Sequence, residues 1–177
     1  MKVKEFSGLC SCYLIYGSEK ILIDAGANVK DKVDIIILTH AHFDHIAYLS
    51  KIVKRNKCQV YASETDAPDI ENITSKVAAE MSPIKILPVK VNRKLKTNEI
   101  LKFKDFSLKV IETPGHTNGS ISLYNEKTQE LFSGDTLFFQ GGVGRTDFPT
   151  GSNKELNASL KKLSKLKIKT LYPGHNY

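Results

Sequence analysis

The sequence predicts a single mixed α/β domain over residues 1–177. Three observations predict it. Short apolar runs recur with turn signals between them, segments of helical spacing lie between those runs, and 177 residues suit one hydrophobic core. An apolar fraction of 41% and a charged fraction of 25% are ordinary for a globular chain rather than a disordered or fibrous one. No apolar run reaches the roughly 18 residues of a membrane span. The opening "MKVKEFSGLC" lacks the apolar centre of a signal peptide. A cytoplasmic protein without membrane contact is expected.

The elements follow in order. "CYLIYGSEKILID" (12–24) reads as a hairpin turning at Gly17-Ser18. "VDIIILTH" (33–40) is a buried strand. "DHIAYLSKIVKRN" (44–56) carries apolar residues at 46, 49, 52 and 53, a helical spacing. "CQVYAS" (58–63) is a strand. Within residues 64–86, "ETDAPDIENITSKVAAEM" reads as one or two surface helices. "FSLKVIETPGH" (106–116) alternates and breaks at Pro114-Gly115, and "SISLYNEKTQELFSGD" (120–135) is a second hairpin around Asn125 to Thr128. Ser152 and Glu155 have capping-box spacing ahead of an apolar stripe of Leu156, Leu160, Leu163 and Leu166, with Lys161, Lys162 and Lys165 in solvent. "KTLYPGH" (169–175) is a last short strand. There is no repeat, linker or low-complexity tract.

The three cysteines, Cys10, Cys12 and Cys58, have no zinc-type spacing and read as small buried residues. The net charge is +7, carried almost entirely by scattered Lys, with Arg only at 55, 93 and 145. Such a surface tolerates an anionic substrate or nucleic acid and requires neither.

The histidines are not scattered. His40, His42 and His45 lie with Asp44 in "THAHFDHIAYL", directly after a buried strand. His116 lies in "TPGHTNGS", His175 in "YPGHNY", Asp135 in "FSGDTLF" and Asp24 in "ILIDAG", each where a strand gives way to a loop. Imidazole and carboxylate are suitable ligands for zinc, manganese or iron. Packed as cations, three clustered histidines would repel, and buried as neutral rings they would need partners. A bound cation resolves both problems. Asp24 reads either as a residue that orients ligands or as a strand-end aspartate capping a turn.

The ordered set T-H-x-H-x-D-H, P-G-H-T, S-G-D-T-L-F and P-G-H resembles the metallo-β-lactamase superfamily, from "LIDAG" to the C-terminus. The resemblance implies a four-layer αββα sandwich with the metal site at the edge between two sheets. It implies one site of His40, His42 and His116, a second of Asp44, His45 and His175, and Asp135 bridging them. Two divalent ions, expected to be zinc with iron or manganese as alternatives, would hold a hydroxide and polarise a substrate oxygen. Asp44 would also position the attacking water and receive its proton.

The branch follows from the same residues. The zinc β-lactamases typically lack the histidine matching His45 and carry cysteine in place of Asp135, and flavodiiron proteins usually carry glutamate in place of His42. Family nucleases use an extra domain or arm, for which 177 residues leave little room. "GGVGRTDFPTG" (141–151) is similar to a stretch of glyoxalase II-like hydrolases and persulfide dioxygenases. It makes Arg145 the candidate for binding a substrate carboxylate or carbonyl, the alternative being an arginine that fixes the Gly-rich loop. The leading expectation is a small-molecule thioester hydrolase of glyoxalase II type, acting on a substrate such as S-lactoylglutathione. The alternatives are an iron-dependent persulfide dioxygenase using His40, His116 and Asp135, and a nucleic-acid-processing or non-catalytic member. Glyoxalase II proper carries a C-terminal helical domain that grips glutathione, whereas this sequence ends two residues after His175, which points to a shorter or different thioester. Ala47 and Tyr48 stand where the family often has glycine after D-H-x, with Tyr48 either facing the site or packing. So near the end, His175 is expected to be poorly ordered unless a homodimer covers that edge.

Overall fold

Each strand sends alternate side chains to opposite faces, and the destination of those side chains defines the layers. The structure, a computed structural model, describes residues 1–176. One sheet runs in the order β1 (Lys2–Ser7), β2 (Ser11–Tyr16), β3 (Ile21–Ile23), β4 (Ile35–Ile37), β5 (Gln59–Ser63) and β6 (Arg93–Leu95). Its first three strands are antiparallel, and β3 to β6 are parallel. The second sheet contains β7 (Ile100–Lys102), β8 (Ser107–Glu112), β9 (Ile121–Asn125), β10 (Glu130–Gly134) and β11 (Thr170–Pro173). Its order is β11-β10-β9-β8-β7, antiparallel except for β10 with β11.

Tyr13, Ile15, Ile21, Ile23, Ile35 and Ile37 of the first sheet share one buried cluster with Leu108, Val110, Leu123 and Phe132 of the second. That cluster is the core between the sheets. The intervening residues Cys12, Leu14, Leu22, Ile36 and Val60 face the other way and pack with Leu49 and Ile52 of α2 (Leu49–Asn56) and Ile70 of α3 (Ala67–Asn72). On the far side, Ile111, Tyr124 and Leu131 pack on Leu163 of α4 (Asn153–Leu163). The result is the four-layer αββα arrangement that the resemblance implied. A buried leucine or isoleucine contributes about 1.5–3 kcal/mol by leaving water, so the all-apolar central strands hold the layers together.

Several boundaries differ from the sequence reading. The segment 44–56 is not one helix. It divides into α1 (Phe43–Ile46) and α2, because the loop after β3 takes part of the helix ladder. The Ala25 amide donates to the His45 carbonyl at 2.8 Å, and the Tyr48 amide donates to the Ala25 carbonyl at 2.8 Å. Only 35–37 of the segment 33–40 is strand; the remainder is the loop that carries the histidines. In α4 the Ser152 side chain accepts from the Glu155 amide as expected, and Leu156 and Leu163 are buried, but the helix ends at Leu163, leaving Leu166 in the turn beyond. Residues 64–86 hold α3 and two single 3-10 turns, 75–77 and 79–81. The strands β1 and β6 escape a reading by apolar runs because half or more of their residues are exposed and polar, and β7 escapes it because it is only three residues long with Ile100 and Lys102 exposed. Among the described residues no helix is long and apolar enough to cross a membrane.

Candidate metal centre

The strand order brings the histidines together. Since β3 and β4 are parallel, their C-terminal ends coincide, and the Asp24 amide donates to the Ile37 carbonyl at 3.0 Å. The loop from Thr39 to His45 begins there. The Ile121 amide donates to the Thr39 carbonyl at 2.9 Å, tying this loop to the second sheet. His116 follows β8 through Gly115, whose φ of +138° needs glycine and whose added Cβ would lie 2.3 Å from the Leu156 amide nitrogen. Asp135 follows β10. Because β11 is parallel to β10, the Gly174 amide reaches the Gly134 carbonyl at 2.9 Å and His175 emerges beside Asp135.

All seven side chains expected to hold metal converge here. His40, His42 and His116 form one group whose ligand-capable atoms lie within 4.8 Å of one another, and His45, Asp135 and His175 form another. His42 Nδ1 is 2.8 Å from His116 Nε2. His175 Nε2 is 3.2 Å from Asp44 Oδ2. The Asp135 carboxylate stands between the groups, with Oδ1 3.2 Å from His45 Nε2, and Oδ2 3.5 Å from His116 Nε2 and 3.4 Å from His175 Nε2. Nε2 of His40 and of His42 are buried with no hydrogen-bond partner among the described residues, while Nε2 of His45 and Oδ1 of Asp135 face only each other, at 3.2 Å. A buried polar atom without a partner costs roughly 1–3 kcal/mol, so the donor set fits divalent cations that would satisfy these atoms together.

Electrostatics divides the centre in two. Burial, then the neighbouring rings His45 and His116, hold His40 well below the usual histidine range. Burial and His116 push His42 down to about 3. Burial lowers His116 as well. These rings are neutral at pH 7, with lone pairs ready for a cation. In the other group burial also opposes charge, but carboxylates outweigh it. Asp24 and Asp135 hold His45 well above its ordinary value, and Asp135 and Asp44 push His175 up to about 9. Against the upward effect of burial, His45 and His175 keep Asp44 and Asp135 below theirs. Protons on His45 and His175 therefore occupy the place of positive charge there.

Partners set which nitrogen faces inward. His116 Nδ1 is 2.7 Å from the Arg145 carbonyl, which can only accept, so Nδ1 carries the hydrogen and Nε2 offers its lone pair. Asp24 does the same for His45. Its Oδ2 accepts from His45 Nδ1 at 2.9 Å and from the Thr39 hydroxyl at 2.8 Å, while Oδ1 accepts from the Thr39 amide at 2.8 Å. Asp24 thus combines both expected readings, anchoring the strand-end loop and aiming a ring. The segment around His175 is fastened within the chain, contrary to the expectation of poor order. The Tyr13 hydroxyl donates to the Pro173 carbonyl at 2.8 Å, the Ser11 amide donates to the Gly174 carbonyl at 2.8 Å, and Asn176 Nδ2 donates to Glu5 at 2.8 Å.

A cavity of about 470 Å³ opens over the centre. His42, Asp44, His116, Asp135 and His175 reach its floor; Phe43, Met81, Phe138, Val143 and Phe148 make it apolar. Arg145 lies on its wall, but its fork is taken. Nε donates to Asp147 Oδ1 at 2.6 Å, Nη2 to Oδ2 at 2.5 Å, and the guanidinium lies 4.2 Å from the Phe148 ring centre. Tyr48 does not line the cavity; it packs against the core near α2, with the Lys51 ammonium 5.2 Å from its ring. The sequence reading missed the apolar walls, which come from three separate loops, and it missed Asp66. That residue is 2% exposed, and its Oδ2 accepts from the Ala41 amide at 2.9 Å. Burial, opposed by this amide, pushes its carboxyl up to about 7.

Known proteins are similar to this chain in sequence and fold. A family profile described as metallo-beta-lactamase superfamily matches residues 7–175. A probable metallo-hydrolase of Methanocaldococcus jannaschii is 34% identical over 99% of this chain and 91% of its own length. The hydroxyacylglutathione hydrolase GloC of Haemophilus influenzae is 30% identical over 85% of this chain and 77% of its own. The solved structure of TTHA1623 in a di-iron-bound form superposes with a TM-score of 0.81 at 31% identity, covering 100% of this chain and 93% of that one. With the fold, the converging histidines and the match over nearly its full length, the chain belongs to the metallo-beta-lactamase superfamily, as a metal-dependent hydrolase.

Proposed function

We propose that the protein hydrolyses an acyl thioester of the glyoxalase II type, such as S-lactoylglutathione, with two divalent ions held by the seven converging side chains. The observation that carries this reading is Asp135, whose single carboxylate touches both ligand groups at the floor of an apolar-walled cavity. The hydroxyacylglutathione hydrolase among its relatives supports the substrate class. Ions there, zinc or alternatively iron or manganese, would supply an activated water and draw charge from a carbonyl oxygen. The chain's own part is placement. His40, His42 and His116 offer neutral nitrogens, and His45, His175 and Asp44 complete the second group. Asp44 faces the cavity and orients the attacking water toward the thioester carbon. The apolar walls exclude bulk water and take the carbon skeleton of the substrate. Arg145 meets a substrate carboxylate or carbonyl by exchanging Asp147, an inexpensive step because water screens an exposed ion pair. Three free, buried thiols, Cys10, Cys12 and Cys58, suit the reducing cytoplasm.

A second reading, an iron-dependent persulfide dioxygenase, is favoured by the grouping of His40, His116 and Asp135, two histidines and a carboxylate, and by the di-iron form of a structural relative. One experiment separates them. Protein loaded with zinc is assayed for thiol release from S-lactoylglutathione, and protein loaded with iron for oxygen uptake with glutathione persulfide. Thiol release without oxygen uptake supports the hydrolase; the reverse result replaces it with the dioxygenase.

A further inference from the structure

Asp66 stands where an aspartate ordinarily caps a helix. It directly precedes α3, and its carbonyl accepts from the Asp69 and Ile70 amides at 3.0 and 3.1 Å. An aspartate there normally turns its carboxylate onto its own helix's first amides. Asp66 makes no such bond. Its side chain points away from α3 and is buried between two other loops. On one side Oδ2 accepts from the amide of Ala41, the residue between His40 and His42. On the other side lies Gly119, three residues after His116. A Cβ at Gly119 would fall 1.7 Å from Asp66 Oδ1, so the loop carrying His116 rests directly on the carboxylate. No left-handed φ requires glycine at 119; the space for Asp66 does.

We propose that Asp66 is a positioning residue for the three-histidine group, a strut fixing the His40–His42 loop against the His116 loop. It touches no candidate ligand and acts through their backbones. The loops come from different sheets, and His42 and His116, whose Nδ1 and Nε2 lie 2.8 Å apart, must stay close for one cation to reach both. The strut needs an oxygen of the right size toward Ala41 and does not need a negative charge. Asparagine should therefore replace aspartate, and alanine should not. The proposal rests on the reading that His40, His42 and His116 hold a metal ion, not on the thioester reaction.

The test is cobalt(II) binding to metal-free protein, followed by its visible absorption and by competition with a chelating dye. Loss of a residue that orients ligands costs about 10–100-fold in metal affinity. Asp66→Ala and Gly119→Ala, which displaces the carboxylate without removing it, should each weaken cobalt binding at the three-histidine group by that factor and alter the cobalt spectrum. Asp66→Asn should restore both. A role in folding alone would lower the melting temperature of the variants and leave cobalt affinity and spectrum unchanged, which would overturn the proposal. Should Asp66→Ala fail to fold, Gly119→Ala and Asp66→Asn still decide it. His42→Ala is the control: wild-type cobalt binding there would overturn the metal-site reading, and the proposal with it.

Discussion

Replacing Asp24 with asparagine tests the orientation of His45 with little disturbance of the backbone. Asp24 has φ +61°, a left-handed conformation that asparagine also tolerates, so the substitution changes chemistry rather than chain path. The carboxylate accepts three hydrogen bonds, from the Thr39 amide, the Thr39 hydroxyl and His45 Nδ1. An amide has one accepting oxygen. Placed toward the Thr39 hydroxyl and His45, it leaves the NH₂ group facing the Thr39 amide, donor against donor. Placed the other way, it leaves His45 unsupported. Either way at least one buried donor loses its partner, a cost of about 1–3 kcal/mol. For a chain of this size about 2 kcal/mol corresponds to roughly 4–8 °C in melting temperature. His45 also becomes a poorer ligand, and metal affinity should fall about 10–100-fold. Thermal unfolding of the metal-free variant and zinc competition against a chelator read the two effects separately. Zinc affinity within twofold of wild type, with the melting temperature lowered as expected, would refute the idea that Asp24 aims His45.

Other perturbations bear on the same centre. A Cβ at Gly174 would lie 2.1 Å from Asp135 Oδ1 and 2.8 Å from His45 Cε1, so Gly174→Ala should displace the bridging carboxylate and leave the protein folded but binding fewer ions, as metal analysis after dialysis would show. His175, raised to about 9, binds its proton more tightly in the folded metal-free protein than in the unfolded chain. The stability it contributes is fully present below pH 6.5 and is lost as pH rises through about 9. Metal uptake must expel that proton and the one on His45, so zinc affinity should climb between pH 6.5 and 9, roughly tenfold per unit for each proton released, and a flat profile would contradict the assignment. Arg145→Ala should raise KM for a carboxylate-bearing thioester several-fold at nearly constant kcat, since Arg145 lies on the wall and not at the floor; a loss confined to kcat would place it in the chemical step.

Much of this architecture was legible in the sequence because it rests on local signals. The runs around Leu14, Leu22 and Ile36 have the strand period, and the two hairpins carry their turn residues. The five histidines drew attention because each follows a strand. What escaped depends on partners distant in the chain. β1 pairs fully with β2 from Lys2 to Ser7, yet its Lys2, Lys4 and Glu5 side chains are exposed and give no apolar run. The break before α2 follows from Ala25, some twenty residues upstream, taking the His45 carbonyl and the Tyr48 amide. Asp66 in "ETDAP" has the spacing of a helix cap, and only the approach of Ala41 and Gly119 diverts its carboxylate. The cavity walls join Phe43, Met81 and Phe138, whose proximity no local pattern encodes.

The most direct test of the central claim is a zinc titration of metal-free protein, with thiol release from S-lactoylglutathione measured at each step. The account predicts that turnover rises with added zinc, levels off at two equivalents per chain and is abolished in His42→Ala. Binding of two equivalents with no thiol released would contradict the thioester reading, and turnover independent of zinc would contradict the metal-dependent chemistry itself.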